Sequence, residues 1–188
     1  MCTAITFKGK DFYFGRNLDY DFSYGEEVVI TPRNYQFKFL NGKVFSNHYS
    51  LIGMAHVYDG YPLFYDCVNE KGLSIASLNF VNNAKYNDVE LKDKDNIAVH
   101  EFIPWLLVQC SSVKEVKKLI KKINLINTPF NKSFPVAQLH FLIADKKECI
   151  TVEPLENGIK IYDNPVGVLT NNPPFDKQLF NLNNYQYL

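Results

Sequence analysis

The chain has 188 residues, 46% of them hydrophobic, enough to bury a substantial core in one domain, or in one domain with an incomplete second piece. Its 20 acidic residues balance 20 basic ones, which removes the electrostatic case for a nucleic acid or an anionic membrane surface as partner. No apolar run reaches membrane-spanning length and no charged-then-apolar segment opens the chain, so the expectation is a cytoplasmic protein.

Cys2 follows Met1 directly, in Met1-Cys2-Thr3-Ala4-Ile5. With Met1 removed, this one residue carries a thiol and a free α-amine, a nucleophile with its own general base, since their unperturbed pKa values lie at roughly 8.5 and roughly 7.7–8. While Met1 remains, the amine is locked in an amide and that chemistry is off. The alternative is a small buried apolar residue that follows Met by chance. Thr3, Ile5 and Phe7 alternate with their neighbours, Lys8-Gly9-Lys10-Asp11 makes a turn, and Phe12-Tyr13-Phe14 returns, a hairpin that mounts Cys2 rigidly. Gly15-Arg16-Asn17-Leu18-Asp19 comes next, so the return strand can bring Arg16 and Asp19 beside Cys2. There Arg16 would favour thiolate and Asp19 would accept from the α-amine; read without context, the two are an ordinary surface pair. Further strands are expected at Val28–Thr31, Gln36–Leu40, Leu51–Val57, Leu63–Val68 and Leu73–Asn79, with turns at Asn41-Gly42 and Asn69-Glu70-Lys71-Gly72.

The period then changes. Ile97–Cys110 is apolar and of helical length, and Pro104 inside it predicts a kink or a late true start. Ser112-Val113-Lys114-Glu115 is a capping box, followed by Val116, Leu119, Ile120 and Ile123 on one helical face; the lysines between them read as a solvated face. After a proline-marked loop, Pro129–Pro135, strands return at Leu139–Ala144, Cys149–Glu153 and Ile159–Tyr162. A short strand then leads into Thr170-Asn171-Asn172-Pro173-Pro174, where an Asn amide could donate to an oxyanion or simply form a turn. Phe180–Leu188 stops without a clear terminal element and reads as cut. Strands, a helical pair and strands again point to an α+β fold of antiparallel sheets covered by helices.

Cys67, Cys110 and Cys149 are widely spaced, with no CxxC pair, and are expected to be reduced and buried; the scattered His48, His56, His100 and His140 are expected to pack or hydrogen-bond, so no metal site is read. Fifteen Phe and twelve Tyr hint at an aromatic-lined cavity.

Several islands together carry a family resemblance: Met1-Cys2-Thr3-Ala4, Phe14-Gly15-Arg16-Asn17-Leu18-Asp19, Asn69-Glu70-Lys71-Gly72-Leu73, Leu78-Asn79-Phe80, Glu101-Phe102-Ile103-Pro104-Trp105 and Asp163 through Pro173. In this order and spacing the chain resembles choloylglycine hydrolases, the bile salt hydrolases and penicillin V acylases among the N-terminal-nucleophile hydrolases. The resemblance implies an αββα sandwich and hydrolysis of a linear amide without metal or organic cofactor. By position Cys2 matches the nucleophile, Arg16 and Asp19 its activating neighbours, and Asn79 (backbone N–H) with Asn171 (side chain) the oxyanion donors. Leu-Asn-Phe at 78–80 resembles bile salt hydrolases, whereas penicillin V acylases tend to carry Tyr at the Asn position, so the implied substrate is a glycine- or taurine-conjugated bile salt. The alternatives are a penicillin V acylase-type amidase and an inactive truncated fragment. Leu18, Tyr58, Tyr65, Phe130 and Phe134 would line the steroid pocket. Family members are longer, so residues 1–188 match the N-terminal portion of one domain, and an arginine that the family carries further on has no counterpart here. For the full-length protein the resemblance implies a homo-oligomer, a tetramer, in the bacterial cytoplasm.

Overall fold

The structure is a computed structural model and describes residues 1–185. In chain order its strands are β1 (Thr3–Lys8), β2 (Phe12–Asn17), β3 (Glu27–Thr31), β4 (Phe37–Lys38), β5 (Val44–Phe45), β6 (Leu51–Tyr58), β7 (Tyr61–Asn69), β8 (Ser74–Asn79), β9 (Asp95–Ala98), β10 (Ile123–Ile126), β11 (Leu139–Ala144), β12 (Cys149–Leu155), β13 (Gly158–Asp163) and β14 (Val168–Thr170). The helices are α1 (Phe102–Leu107), α2 (Val113–Ile120) and α3 (Phe175–Leu182). Antiparallel pairing joins seven strands in the order β13-β12-β11-β8-β7-β6-β3 and three in the order β14-β1-β2.

Alternation along β11 shows how the layers stack, because successive side chains of a strand point to opposite faces. Phe141 and Ile143 join one apolar core with Ile75, Ile150, Val152 and the buried residues of α1 and α2. Leu142 points the other way, into a smaller core with Cys2, Ala4, Ala76, Leu78, Leu169 and Phe175, which lies between the two sheets. The order is therefore helices, large sheet, small sheet, the α+β sandwich expected. The outer face of the small sheet is open, with Ile5, Phe7 and Tyr13 exposed.

Three expectations are corrected. Ile97 and Ala98 are not helical but close β9, which pairs in parallel with β10 through Leu125↔Ile97 and Ile126↔Ala98. The true helix starts late, at Phe102, which puts Pro104 in the first turn, where its missing N–H costs nothing. The same parallel pairing takes Ile123 off the face of α2 to open β10, and Gln36–Leu40 shrinks to the two residues of β4, which pair with Val44–Phe45. The cap of α2 is half a capping box: Ser112 accepts from Glu115 N at 3.4 Å, but the Glu115 carboxylate reaches back to Ser111 N at 2.7 Å. Helix α3 was not legible behind Pro173-Pro174; Pro174 sits at its N-cap, and Asn183–Tyr185 add a 3-10 turn after it. The end of the Phe180–Leu188 segment, 186–188, lies outside the described residues.

Candidate active site

The antiparallel registers bring the expected residues together. Ala4 faces Arg16 on one side and Leu169 on the other. Continued from Thr3↔Asn17 and Thr3↔Thr170, the same registers set Leu18 and Asn171 on either side of Cys2. Cys2, Ala4 and Arg16 thus share the face turned toward the large sheet, and Cys2 is 2% exposed.

The Cys2 thiol lies 3.9 Å from Arg16 Nη2 and 3.9 Å from the Asp19 carbonyl oxygen. Its flanking backbone is fixed by Asn17, which accepts from Thr3 N at 2.7 Å and donates to the Met1 carbonyl at 3.2 Å. The exposed Met1 amine sits on the Asp19 carboxylate, and this hydrogen bond holds the amine above its ordinary range. Burial pushes the other thiols up, Cys149 to about 11, Cys110 to about 12 and Cys67 well above its ordinary value. A thiol so shifted is a poor nucleophile near neutrality.

The Arg16 guanidinium is only 4% exposed, and its partners are specific. Nη2 donates to the Ser77 carbonyl at 3.0 Å, and Nη1 pairs with Asp66 Oδ2 at 3.2 Å. Asp66 had no place in the expected site. Burial raises its pKa, and the Arg16 charge opposes that rise. The other oxygen, Oδ1, accepts from Met54 N at 3.4 Å, beside a register shift between Met54 and Ala55. Gly53 belongs to this spot, because a Cβ there would collide with the Asp66 carbonyl oxygen. The one sequence signal for Asp66 is a lone carboxylate in the apolar strand Leu63–Val68.

Asn79 ends β8. It faces Leu139 across β11, but Leu139 N takes the Tyr86 hydroxyl at 2.9 Å, and the next ladder bond is Phe80 N to Gln138 O at 2.8 Å. Backbone groups of alternate residues point to opposite neighbours, so the N–H of Asn79 points toward β7. The β7–β8 ladder ends at Asp66↔Ala76, three residues short of Asn79. Arg16 fills part of that gap by taking the Ser77 carbonyl. The Asn79 N–H therefore faces the opening beside Arg16 without a ladder partner. Asn171, across from Cys2, has a buried Oδ1 with no partner among the described residues, while its backbone carbonyl is held by Gln178 Nε2 at 2.8 Å.

Ser77 and Asn79 also border a cavity of 340 Å³, within the range of small-molecule sites. Of the residues expected to line a steroid pocket, Tyr65, Phe130 and Phe134 line it. Two expected lining residues do not. Leu18 packs beside Cys2 in the inter-sheet core, where the register puts it, and Tyr58 lies exposed behind the wall, edge-on to Phe130 at 5.8 Å and Phe134 at 5.4 Å. Tyr20, His56 and His100 join the lining instead, brought there by strand ends and loops that local periodicity does not relate. Burial lowers His100 to about 4, so it stands neutral in the wall at pH 7. Among the described residues no three His, Cys, Asp or Glu side chains converge on a metal-sized site, and no helix is long and apolar enough to cross a membrane.

Comparison with known proteins bears on the fold and the family. The chain is 55% identical over 188 residues to a bile salt hydrolase/transferase of Lactiplantibacillus plantarum, covering 100% of this chain and 58% of that protein. Its fold superposes with a TM-score of 0.92 on a mutant conjugated bile acid hydrolase from Clostridium perfringens, at 37% identity over 99% of this chain and 58% of the other. The fold alone is shared with penicillin V acylase from Agrobacterium tumefaciens, at a TM-score of 0.77 and 22% identity over 98% of this chain and 56% of the other. The chain thus spans a little under three-fifths of the length of these relatives. Residues 2–188 match the family model described as linear amide C–N hydrolases, choloylglycine hydrolase family, and the chain belongs to that family.

Proposed function

We propose that the protein hydrolyses the amide bond joining a bile acid to glycine or taurine, with Cys2 as an N-terminal nucleophile, and that residues 1–188 form the N-terminal portion of the single domain that does so. The observation that carries this is the Cys2 thiol, 3.9 Å from a buried guanidinium that bonds the carbonyl of Ser77, a residue that borders the aromatic cavity together with Asn79. The names of the relatives supply the substrate class. Removal of Met1 leaves the Cys2 amine next to Asp19, whose carboxylate now takes the Met1 amine.

That amine accepts the thiol proton as sulfur attacks the amide carbon, and Arg16 offers positive charge to the sulfur. The carbonyl oxygen becomes an oxyanion between the Asn79 N–H and the Asn171 side-chain amide. Collapse breaks the C–N bond, the amine passes its proton to the leaving glycine or taurine, and a thioester remains. Water adds to that thioester with the amine again as base, releasing the bile acid and restoring the thiol. The flat, apolar acyl group lies against Tyr65, Phe130 and Phe134. The full-length protein acts in the bacterial cytoplasm as a homo-oligomer.

The test is release of glycine and taurine from conjugated bile salts by the purified protein, beside Cys2→Ala and beside a phenoxyacetyl amide of the penicillin V type. The expected result is a drop of at least about 10³-fold in Cys2→Ala, the scale of losing a catalytic nucleophile. Full rate in that variant, or preferred cleavage of the phenoxyacetyl amide, overturns the reading.

A further inference from the structure

His140 and Glu153 are both fully buried, and they lie in the inter-sheet layer, outside the Cys2–Arg16–Asp66 cluster. The β11–β12 register, continued one pair beyond Phe141↔Val152, sets them side by side, with Nδ1 of His140 3.1 Å from Oε1 of Glu153. The second nitrogen, Nε2, is 2.8 Å from the Thr170 carbonyl. A carbonyl only accepts, so Nε2 carries a proton and donates. Glu153 Oε1 also accepts from Phe175 N at 2.9 Å. The pair therefore grips both ends of the segment Thr170–Phe175, which contains Asn171. The flat face of the same imidazole stacks on Phe80, with centroids 4.3 Å apart and planes 8° apart, and Phe80 follows Asn79. A second tie runs the same way: Asn172 Nδ2 donates to the Val81 carbonyl at 2.9 Å.

A buried ionisable pair contributes little net stability, because desolvation offsets its attraction, so stability alone does not account for it. We propose that His140 and Glu153 are positioning residues of the oxyanion site: one imidazole, oriented by one carboxylate, sets the spacing between the Asn79 and Asn171 segments. The inference rests on the acyl-transfer reading above. A displacement of about 1 Å at such a site is worth about 10²-fold in rate, and an oxyanion donor matters when sulfur attacks a carbonyl but not when it displaces a halide.

That contrast supplies the experiment. The chain with a free Cys2 amine, verified by intact mass, is reacted with a p-nitrophenyl ester, where a thioester forms and nitrophenolate leaves. In parallel it is reacted with iodoacetamide, where sulfur displaces iodide. Rates are taken as differences from Cys2→Ala, which removes the contribution of the other thiols. In Glu153→Gln and in His140→Gln, nitrophenolate release is expected to fall about 10- to 100-fold while alkylation stays within about twofold. The double variant is expected to fall no further than the worse single one, because the pair acts as a unit. Phe80→Leu removes the stacking surface, keeps the pair, and is expected to lower the same ratio if the polar variants do not fold. Unchanged acylation in all of these, or acylation and alkylation falling together in Phe80→Leu, overturns the positioning role. A wild-type chain that is alkylated at Cys2 yet acylated no faster than Cys2→Ala overturns the acyl-transfer reading itself and the positioning role with it.

Discussion

The two faces of the seven-stranded sheet are built on different chemistry. Toward the helices, Ile75, Phe102, Phe141, Ile143 and Val152 form an apolar core, and buried polar groups there, Asn69 and Glu101, bond backbone at the ends of elements. Toward the small sheet the buried set is smaller and includes His140, Thr151, Glu153 and Asn164 beside Cys2 and Leu169. Hydrocarbon burial is non-directional and stabilises roughly in proportion to area. Buried polar groups are directional, and each demands a partner in a set place. One sheet thus separates a mainly apolar core from the layer that carries the candidate site, and β11 contributes to both in neighbouring residues, His140 and Phe141.

The sharpest way to break this division is to remove the buried guanidinium of the polar face, Arg16. In Arg16→Leu the Cys2 thiol loses its guanidinium and Asp66 is left half-buried without a counter-charge, so acyl transfer is expected to fall about 10³-fold, or about 4 kcal/mol. Steady-state hydrolysis, with iodoacetamide alkylation of Cys2 alongside, checks it; a loss under tenfold would mean that the cation is dispensable. On the other face, Phe141→Ala removes a ring packed 4.4 Å from that of Phe102 and is expected to cost about 3–5 kcal/mol of stability. Below the melting transition its rate per folded molecule is expected to match wild type within about twofold, read from urea unfolding and active-site titration together. A matched loss of rate would show that the two faces are not separable.

How much of this was legible in sequence follows from the range of the interactions involved. Leu139–Ala144 and the hairpin from Thr3 to Phe14 alternate locally and end in turn residues, so a short window suffices to find them. The β9–β10 pair does not, because Ile97–Ala98 becomes a strand only through a parallel partner 28 residues on, Leu125↔Ile97, and an apolar run without that partner reads as helix. Cys2, Arg16, Asp19, Asn79 and Asn171 were singled out through their motif islands, and the registers account for why Cys2, Arg16 and Asn171 lie near one another. Leu18 and Tyr58 were misplaced for the opposite reason: aromatic and apolar residues carry no mark of which cavity or core they face. Asp66 carried only the signal of a lone carboxylate in an apolar strand, and His56 and His100 none beyond their residue type.

His100 tests whether the cavity wall belongs to the apolar or the polar regime. Its folded-state pKa of about 4 lies below the ordinary value of 6.5, so between these the unfolded chain binds more protons than the folded one. Stability from the neutral imidazole is then complete above pH 6.5 and is lost as pH falls toward 4, by about 3 kcal/mol at pH 4. Unfolding free energies from urea titrations at pH 7 and pH 4 are expected to differ by that much less in His100→Phe than in wild type. An equal drop in both would place the imidazole in water rather than in the wall.

The smallest expected effect is at Asp66, and it sharpens the comparison most finely because it separates a charge from a position. Asp66→Asn keeps the size of the side chain and its contact with Met54 N, and Arg16 still bonds the Ser77 carbonyl. What is lost is the counter-charge to the guanidinium. If Asp66 serves to aim Arg16, one remaining tether leaves the guanidinium looser, and acyl transfer should fall about tenfold, or about 1.4 kcal/mol, with little change in KM. If the carboxylate instead tempers the positive charge that Cys2 meets, removing it should strengthen that charge, and iodoacetamide alkylation of Cys2 should speed up at pH 6. The positional role expects slower acyl transfer with unchanged alkylation at pH 6. Faster alkylation would move Asp66 from the group that positions Arg16 to the group that sets the electrostatics of the thiol.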